Sequence, residues 1–206
     1  MTAVKICGLT RPEDVEASVE LGAVLVGFNF VPTSPRCVSL DRARELAAAA
    51  PPWALRVGVF ANESRDAIAR AIQETPLDLV QLHRAVTEDD AAWCPLPIIA
   101  AVSAEGGTQD APPREVLARL CAVLWDSSAG RGALGDWSAF ATRRALPVRQ
   151  FLAGGLHPDN VGEAIRSLRP DGVDVASGVE SAPGVKDRTL LARFFAAVRE
   201  ADRGSA

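Results

Sequence analysis

Short apolar runs alternate along the chain with segments whose apolar residues recur every three or four positions, and the pair repeats eight times. The runs predict strands at 4–8 (VKICG), 23–30 (AVLVGFNF), 56–61 (RVGVFA), 77–83 (LDLVQLH), 97–103 (PIIAAVS), 122–127 (AVLWDS), 150–155 (QFLAGG) and 172–178 (GVDVASG). Helical periodicity predicts helices at 12–22, 39–50, 64–74, 87–93, 113–120, 136–146, 157–168 and 187–201. Thr10, Ser39, Ser64, Thr87 and Asp187 stand just before helical patterns, where a short polar side chain accepts hydrogen bonds from free backbone amides.

Strands that alternate with helices imply a parallel sheet, because parallel neighbours need a long crossover and a helix is the usual one. Eight evenly spaced units favour a closed α/β barrel, the single-domain (β/α)8 architecture, over an open sheet. One domain is expected over residues 1–206, with 202–206 as a frayed tail. The chain is short for such a barrel, so its loops must be lean.

The two-residue period of a strand sorts these residues into two sets. Val4, Ile6, Val80, Leu82, Val173 and Val175 are assigned to the outer face, against the helices. Lys5, Cys7, Gln81, His83, Asp126 and Asp174 would point inward, several at the carboxyl ends of their strands, where barrels of this type carry their active sites. An ammonium beside a thiol needs a reason. Lys5 lies one inward position below Cys7, some 6 to 7 Å away by strand rise, and is expected to favour the thiolate.

With 48% hydrophobic residues and a net charge of −4, the chain can bury a sizeable core, and no basic run marks a nucleic-acid or anionic membrane partner. No apolar stretch approaches the roughly 18 residues of a membrane span, and the N-terminus lacks a signal-peptide pattern, so a cytoplasmic location is expected. Cys7, Cys37, Cys94 and Cys121 are scattered, without a C-x-x-C pair and with two histidines in the chain; neither a metal site nor a disulfide framework is expected. Apart from Cys7, the cysteines read as small buried hydrophobes.

Two glycine-rich strand ends come last, LAGGLHPDNV after strand 7 and VASGVESAPGVKD after strand 8. Glycine lets backbone amides approach an anion, and these two loops of a barrel frequently bind phosphate, which marks Gly154, Gly155, Ser177 and Gly178.

VKICGLT, GFNFVPTSPRCV, RVGVFANES, DLVQLH, LAGGLHPDNV and VDVASGVESAPGVKD, in this order over residues 4–187, resemble the successive motifs of the phosphoribosylanthranilate isomerases of tryptophan biosynthesis. The resemblance implies a cofactor-free Amadori rearrangement of a small phosphosugar, N-(5-phosphoribosyl)anthranilate, to 1-(2-carboxyphenylamino)-1-deoxyribulose 5-phosphate. It makes Cys7 the general base and Asp126 the general acid, and gives Arg36 the anthranilate carboxylate. Gln81 and His83 are expected to contact substrate, His83 with packing against a neighbouring strand as its alternative. Asp174 is read as a support beneath the phosphate loop. A monomer and a homodimer are equally compatible with the sequence.

The pattern departs from the family after strand 6, where AGRGALGDW lacks a usual glycine, a lysine and an aromatic residue, Arg131 standing near the missing lysine. Arg84 and His157 also replace a usual glycine and asparagine. Two other readings compete: an isomerase of the related histidine-pathway aminoaldose phosphate, alone or bifunctional, and a degenerate barrel that binds a sugar phosphate without turning it over. The halves of the chain do not repeat and strand 1 ends in cysteine, against the first. A mere binder would not need Cys7 and Asp126, against the second.

Overall fold

A computed structural model describes residues 1–103, 112–127, 140 and 146–204. Eight parallel strands close into a barrel in chain order: β1 (Ala3–Ile6), β2 (Leu25–Asn29), β3 (Leu55–Phe60), β4 (Leu79–Leu82), β5 (Ile98–Ser103), β6 (Leu120–Asp126), β7 (Arg149–Ala153) and β8 (Gly172–Val175), with β8 pairing back onto β1. Around it run α1 (Pro12–Leu21), α2 (Leu40–Ala49), α3 (Arg65–Glu74), α4 (Glu88–Trp93), α5 (Arg114–Leu117), α6 (Val161–Leu168) and α7 (Arg188–Arg203). This is the single-domain (β/α)8 barrel that the repeat predicts. The helix expected at 136–146 falls almost wholly outside the described residues; Phe140 among them is buried.

The strand period separates two apolar layers. Val4, Ile6, Val80, Leu82, Val173 and Val175 join the layer between barrel and helices, whereas Cys7, Leu25, Val59, Leu79, Leu124 and Phe151 fill the barrel interior. No described helix is long and apolar enough to cross a membrane.

Four of the five expected caps form. Ser39, Ser64, Thr87 and Asp187 accept from backbone amides of α2, α3, α4 and α7, and Thr87 with Asp90 completes a reciprocal capping box. Thr10 does not cap. The residue before α1 is Arg11, without a side-chain cap, and Pro12 occupies the first helical turn, where its missing N–H costs nothing. Thr10 donates instead to the carbonyl of Gly184, 2.5 Å away.

Boundaries shift where short elements meet. α5 spans only four residues, and Leu120, expected to end that helix, opens β6. α7 continues through Asp202 and Arg203 into the expected tail, because the Asp202 carboxylate accepts from both the backbone N–H and the hydroxyl of Thr2. The eighth strand stops at Val175 and is followed by a single 3-10 turn at Ser177–Val179 and a hairpin of β9 (Glu180–Ala182) and β10 (Val185–Lys186) that the hydrophobic pattern did not predict.

Candidate active site

A cleft of about 490 Å³ opens at the carboxyl ends of the strands. Cys7, Arg36, His83, Asp126, Gly154, Gly155 and Ser177 line it, together with Asp174, so seven of the nine expected site residues meet on one surface. Gln81 and Gly178 are not among the lining. Gln81 is fully buried beneath the cleft, its Nε2 lying 2.7 Å from His83 Nε2. Gly178 packs the loops after β7 and β8 together: a Cβ there would lie 1.9 Å from the Leu156 carbonyl oxygen.

The floor is ionic. Lys5 has no exposed side-chain surface, and its Nζ lies 3.0 Å from Asp174 Oδ1, across the β1–β8 register that pairs these two residues. Space for this comes from Gly27 on β2, where a Cβ would sit 3.1 Å from the Cys7 sulfur and 3.2 Å from Lys5 Nζ. Burial opposes the Lys5 charge, but Asp174 and Cys7 outweigh it and raise the ammonium above its ordinary pKa.

For the thiol the balance runs the other way. Burial pushes Cys7 up, and Asp174 adds to it; Lys5, by charge and hydrogen bond, and Lys186 pull it down without overcoming the burial. Lys5 favours the thiolate, as expected, but the desolvation cost of burying the anion outweighs it and the thiol's pKa is raised. The other cysteines differ from one another. Cys37 is exposed, against expectation, and Cys94 and Cys121 are partly buried, with Cys121 pushed up to about 11 by burial.

Arg36 crosses the mouth on the loop after β2. Its guanidinium donates from Nε and Nη2 to the carboxylate of Glu180, at 2.9 and 2.6 Å, and its aliphatic part lies over Gly8, where a Cβ would be 2.3 Å from Arg36 Cδ. Gly8 has φ +70°, so both backbone and space there call for glycine. Glu180 also accepts from Lys186 Nζ at 2.8 Å.

His83 is held neutral. Burial lowers its pKa, and although Asp126 raises it, Lys5 opposes that. An amide nitrogen only donates, so with Gln81 Nε2 facing it the ring Nε2 accepts and the proton sits on Nδ1. Asp126 ends β6, in register with Ala153 on β7, three strands around the barrel from Cys7.

Residues 4–197 match the family model described as N-(5'phosphoribosyl)anthranilate (PRA) isomerase. The chain belongs to the N-(5'-phosphoribosyl)anthranilate isomerase family. It is 40% identical over 210 residues to the enzyme of that name from Dechloromonas aromatica, with 98% of each covered. The crystal structure of phosphoribosyl anthranilate isomerase from Thermus thermophilus superimposes with a TM-score of 0.87 at 34% identity, covering 97% of this chain and 99% of that one. A second solved phosphoribosyl anthranilate isomerase, in complex with reduced 1-(o-carboxyphenylamino)-1-deoxyribulose 5-phosphate, gives 0.83 at 36% identity, covering 97% and 100%.

Two charged residues that hold Arg36 and Cys7 from behind this isomerase's cleft lining were not singled out from sequence, Glu180 and Lys186. The proline–glycine pair at 183–184 signalled a turn between them, and a tight turn joining two short extended pieces places such residues side by side. Of the departures from the family pattern, Arg84 has a physical partner: Nη1 and Nη2 donate to the two oxygens of Asp90, at 2.6 and 2.7 Å, and this holds the Asp90 carboxyl well below the usual range while pinning the start of α4. His157 accepts at Nδ1 from the Asp159 N–H and donates its own N–H to Asn160. The altered loop after β6, with Arg131, lies outside the described residues apart from its first strand-end neighbours.

Proposed function

We propose that this chain carries out its family's reaction, the isomerisation of N-(5'-phosphoribosyl)anthranilate in tryptophan biosynthesis, with Cys7 as general base and Asp126 as general acid. The carboxyl of Asp126 gives its proton to the ring oxygen of the ribose as the C1–O bond breaks, the nitrogen lone pair closing to a C1=N iminium. The minor thiolate form of Cys7, which Lys5 and Lys186 favour against burial, then takes the proton from C2, and the C–H electrons form C1=C2 and neutralise the nitrogen. Loss of the O2 proton and protonation of C1 turn this enolamine into the amino ketone. An acid and a base are thus needed at separate positions around one sugar, and each contributes typically 10²- to 10⁴-fold.

One observation carries the assignment: a single cleft joins Cys7 and Asp126, on strands that are not neighbours, with the fixed cation of Arg36 and the two glycine loops. Arg36 suits the anthranilate carboxylate, since a planar guanidinium matches a carboxylate in two parallel hydrogen bonds. Gly154, Gly155 and Ser177 suit the phosphate, Gly154 and Gly155 at φ 90° and 65° being able to turn their amides toward it, with Gly178 setting the distance between the loops. His83, neutral and supported by Gln81, offers a hydrogen-bond donor to the sugar rather than a charge.

Purified protein mixed with N-(5'-phosphoribosyl)anthranilate should abolish the anthranilate-type fluorescence catalytically. Asp126→Asn should lose turnover while binding a product analogue within about tenfold of wild type, because the amide keeps the shape and lacks the proton. An Asp126→Asn variant keeping more than about a tenth of the wild-type kcat would take Asp126 out of the role.

A further inference from the structure

Of the 22 basic residues in the chain only two are lysines, Lys5 and Lys186. Both side chains are completely buried, and both ammonium groups act on Cys7. Lys5 is matched by Asp174. Lys186 sits on β10, and its Nζ donates to the carbonyl of Cys7 at 2.7 Å, to the carbonyl of Ala176 at 3.0 Å and to Glu180 Oε1 at 2.8 Å. An ammonium has three N–H bonds, so all three are used and none is left for a substrate. A guanidinium, planar and larger, does not reproduce three divergent bonds from one atom.

Glu180 is the shared partner. It takes the Nε and Nη2 side of Arg36, and among the described residues no hydrogen bond from Arg36 Nη1 is found. A guanidinium has a second two-pronged edge, Nη1 with the remaining N–H of Nη2, which is left for another carboxylate. The cluster Arg36, Lys186 and Glu180 carries one net positive charge, with only Arg36 lining the cleft and the Glu180 side chain 4% and that of Lys186 0% exposed behind it. An incoming carboxylate would neutralise it.

The hairpin that carries Glu180 and Lys186 is tied to the loop after β1 and to the first turn of α1: Thr10 donates to Gly184, the Lys186 N–H donates to Asp14, and Arg11 reaches the Lys186 carbonyl. Arg36 on the loop after β2 and Cys7 at the end of β1 thus meet on one element. We propose that Glu180 and Lys186 are positioning residues of the isomerase: Glu180 turns the second edge of Arg36 toward the substrate carboxylate, and Lys186 couples that arginine to the backbone of Cys7. The group that grips the aromatic acid and the group that takes the C2 proton are then held at a fixed separation. This rests on the reading that Arg36 receives the carboxylate.

Steady-state kinetics of Glu180→Gln, Arg36→Ala and the double variant test it. Glu180→Gln should raise KM for N-(5'-phosphoribosyl)anthranilate about tenfold with kcat changed less than about threefold, the signature of lost binding common to ground and transition states. In the Arg36→Ala background the same change should add less than about twofold, since the two act through one interaction. Glu180→Asp, too short to span both cations, should repeat the KM effect, and inhibition by ribulose 5-phosphate, which lacks the aromatic carboxylate, should stay within about twofold of wild type in all three. An unchanged or lowered KM in Glu180→Gln would overturn the proposal, as Glu180 would then be idle or competing with substrate for Arg36. Additive effects in the double variant, or equal weakening of ribulose 5-phosphate, would overturn it too. If Arg36→Ala itself left KM unchanged, the assignment of Arg36 would fail first, a result distinct from Arg36→Ala raising KM while Glu180→Gln does not.

Lys186→Met supplies an independent reading. The charged groups facing Cys7 are Lys5 on its own strand, Asp174 on β8, Lys186 on β10 and Arg36 after β2. Loss of one cation should move the pH midpoint of iodoacetamide alkylation at Cys7 upward, whereas a midpoint at the wild-type pH would remove Lys186 from the device.

Discussion

At Cys7 two large effects oppose each other, and their balance decides what the residue can do. Desolvation of a buried thiolate pushes its pKa up, while Lys5 and Lys186 pull it down. The thiol therefore stays protonated until the pH rises past its ordinary range, and the rate of its alkylation should climb with pH accordingly, with product analogue protecting Cys7 but not the exposed Cys37. Lys5 is also structural, since its loss strands the Asp174 carboxylate in the barrel. Lys5→Met should destabilise the protein by about 3–5 kcal/mol, measured by denaturant unfolding, because one half of a buried ion pair is left without its partner. A loss under about 1 kcal/mol would mean that water reaches Asp174 and repays its charge. The inward set Lys5, Cys7, Gln81, Asp126 and Asp174 was legible from strand parity alone. The net direction of the Cys7 shift was not, because parity tells which groups meet and says nothing of how much water they lose.

Individual elements show the same division. Ser39, Ser64, Thr87 and Asp187 could be read as caps because the signal is a side chain three residues or fewer from the amide it serves. Thr10 has the same local pattern but is claimed by Gly184, 174 positions away, a partner that no local window contains. Strands β9 and β10, of three and two residues, are too short to display a period, so the hairpin that carries Glu180 and Lys186 was not legible in the hydrophobic pattern. This hairpin gives the site an acid limit. Burial alone would raise the Glu180 pKa, but the hydrogen bonds of Arg36 and the charge of Lys186 outweigh it, and the folded value is depressed. A carboxylate with a depressed folded pKa stabilises the fold fully above its unfolded value of about 4.3, and that stability is lost as pH falls through the folded value. Thermal unfolding followed from pH 6 downward should show a steeper loss in wild type than in Glu180→Gln; equal slopes would mean that the ion pairs contribute nothing to folding. Gly178→Ala tests the loops after β7 and β8. Its methyl would collide with the Leu156 carbonyl, so the loops must part, at a cost of about 1–3 kcal/mol, and affinity for a phosphate-bearing inhibitor should fall with stability. Full affinity for that inhibitor would separate the spacing of these loops from phosphate binding.

For the whole molecule, eight strand–helix units were enough to read a closed barrel, because a parallel strand needs a crossover and the units left no room for a second sheet. The carboxyl ends of the strands then had to share one mouth, which brought Cys7, His83 and Asp126 together from distant parts of the chain. Arg36 could be assigned to that mouth through the family resemblance, yet its orientation depends on a hairpin nearly 150 residues further on, as the 144-residue separation from Glu180 makes plain. The central claim is that the thiol of VKICGLT is the base of the isomerisation, and the kcat of Cys7→Ser with N-(5'-phosphoribosyl)anthranilate, measured beside its affinity for a product analogue, tests it most directly. A hydroxyl keeps the size of the side chain but is a far weaker acid, so kcat should fall at least about 100-fold while analogue affinity stays within about tenfold. A Cys7→Ser enzyme that keeps more than about a tenth of the wild-type kcat would show that the thiol only packs, and that the C2 proton goes to another group in the cleft.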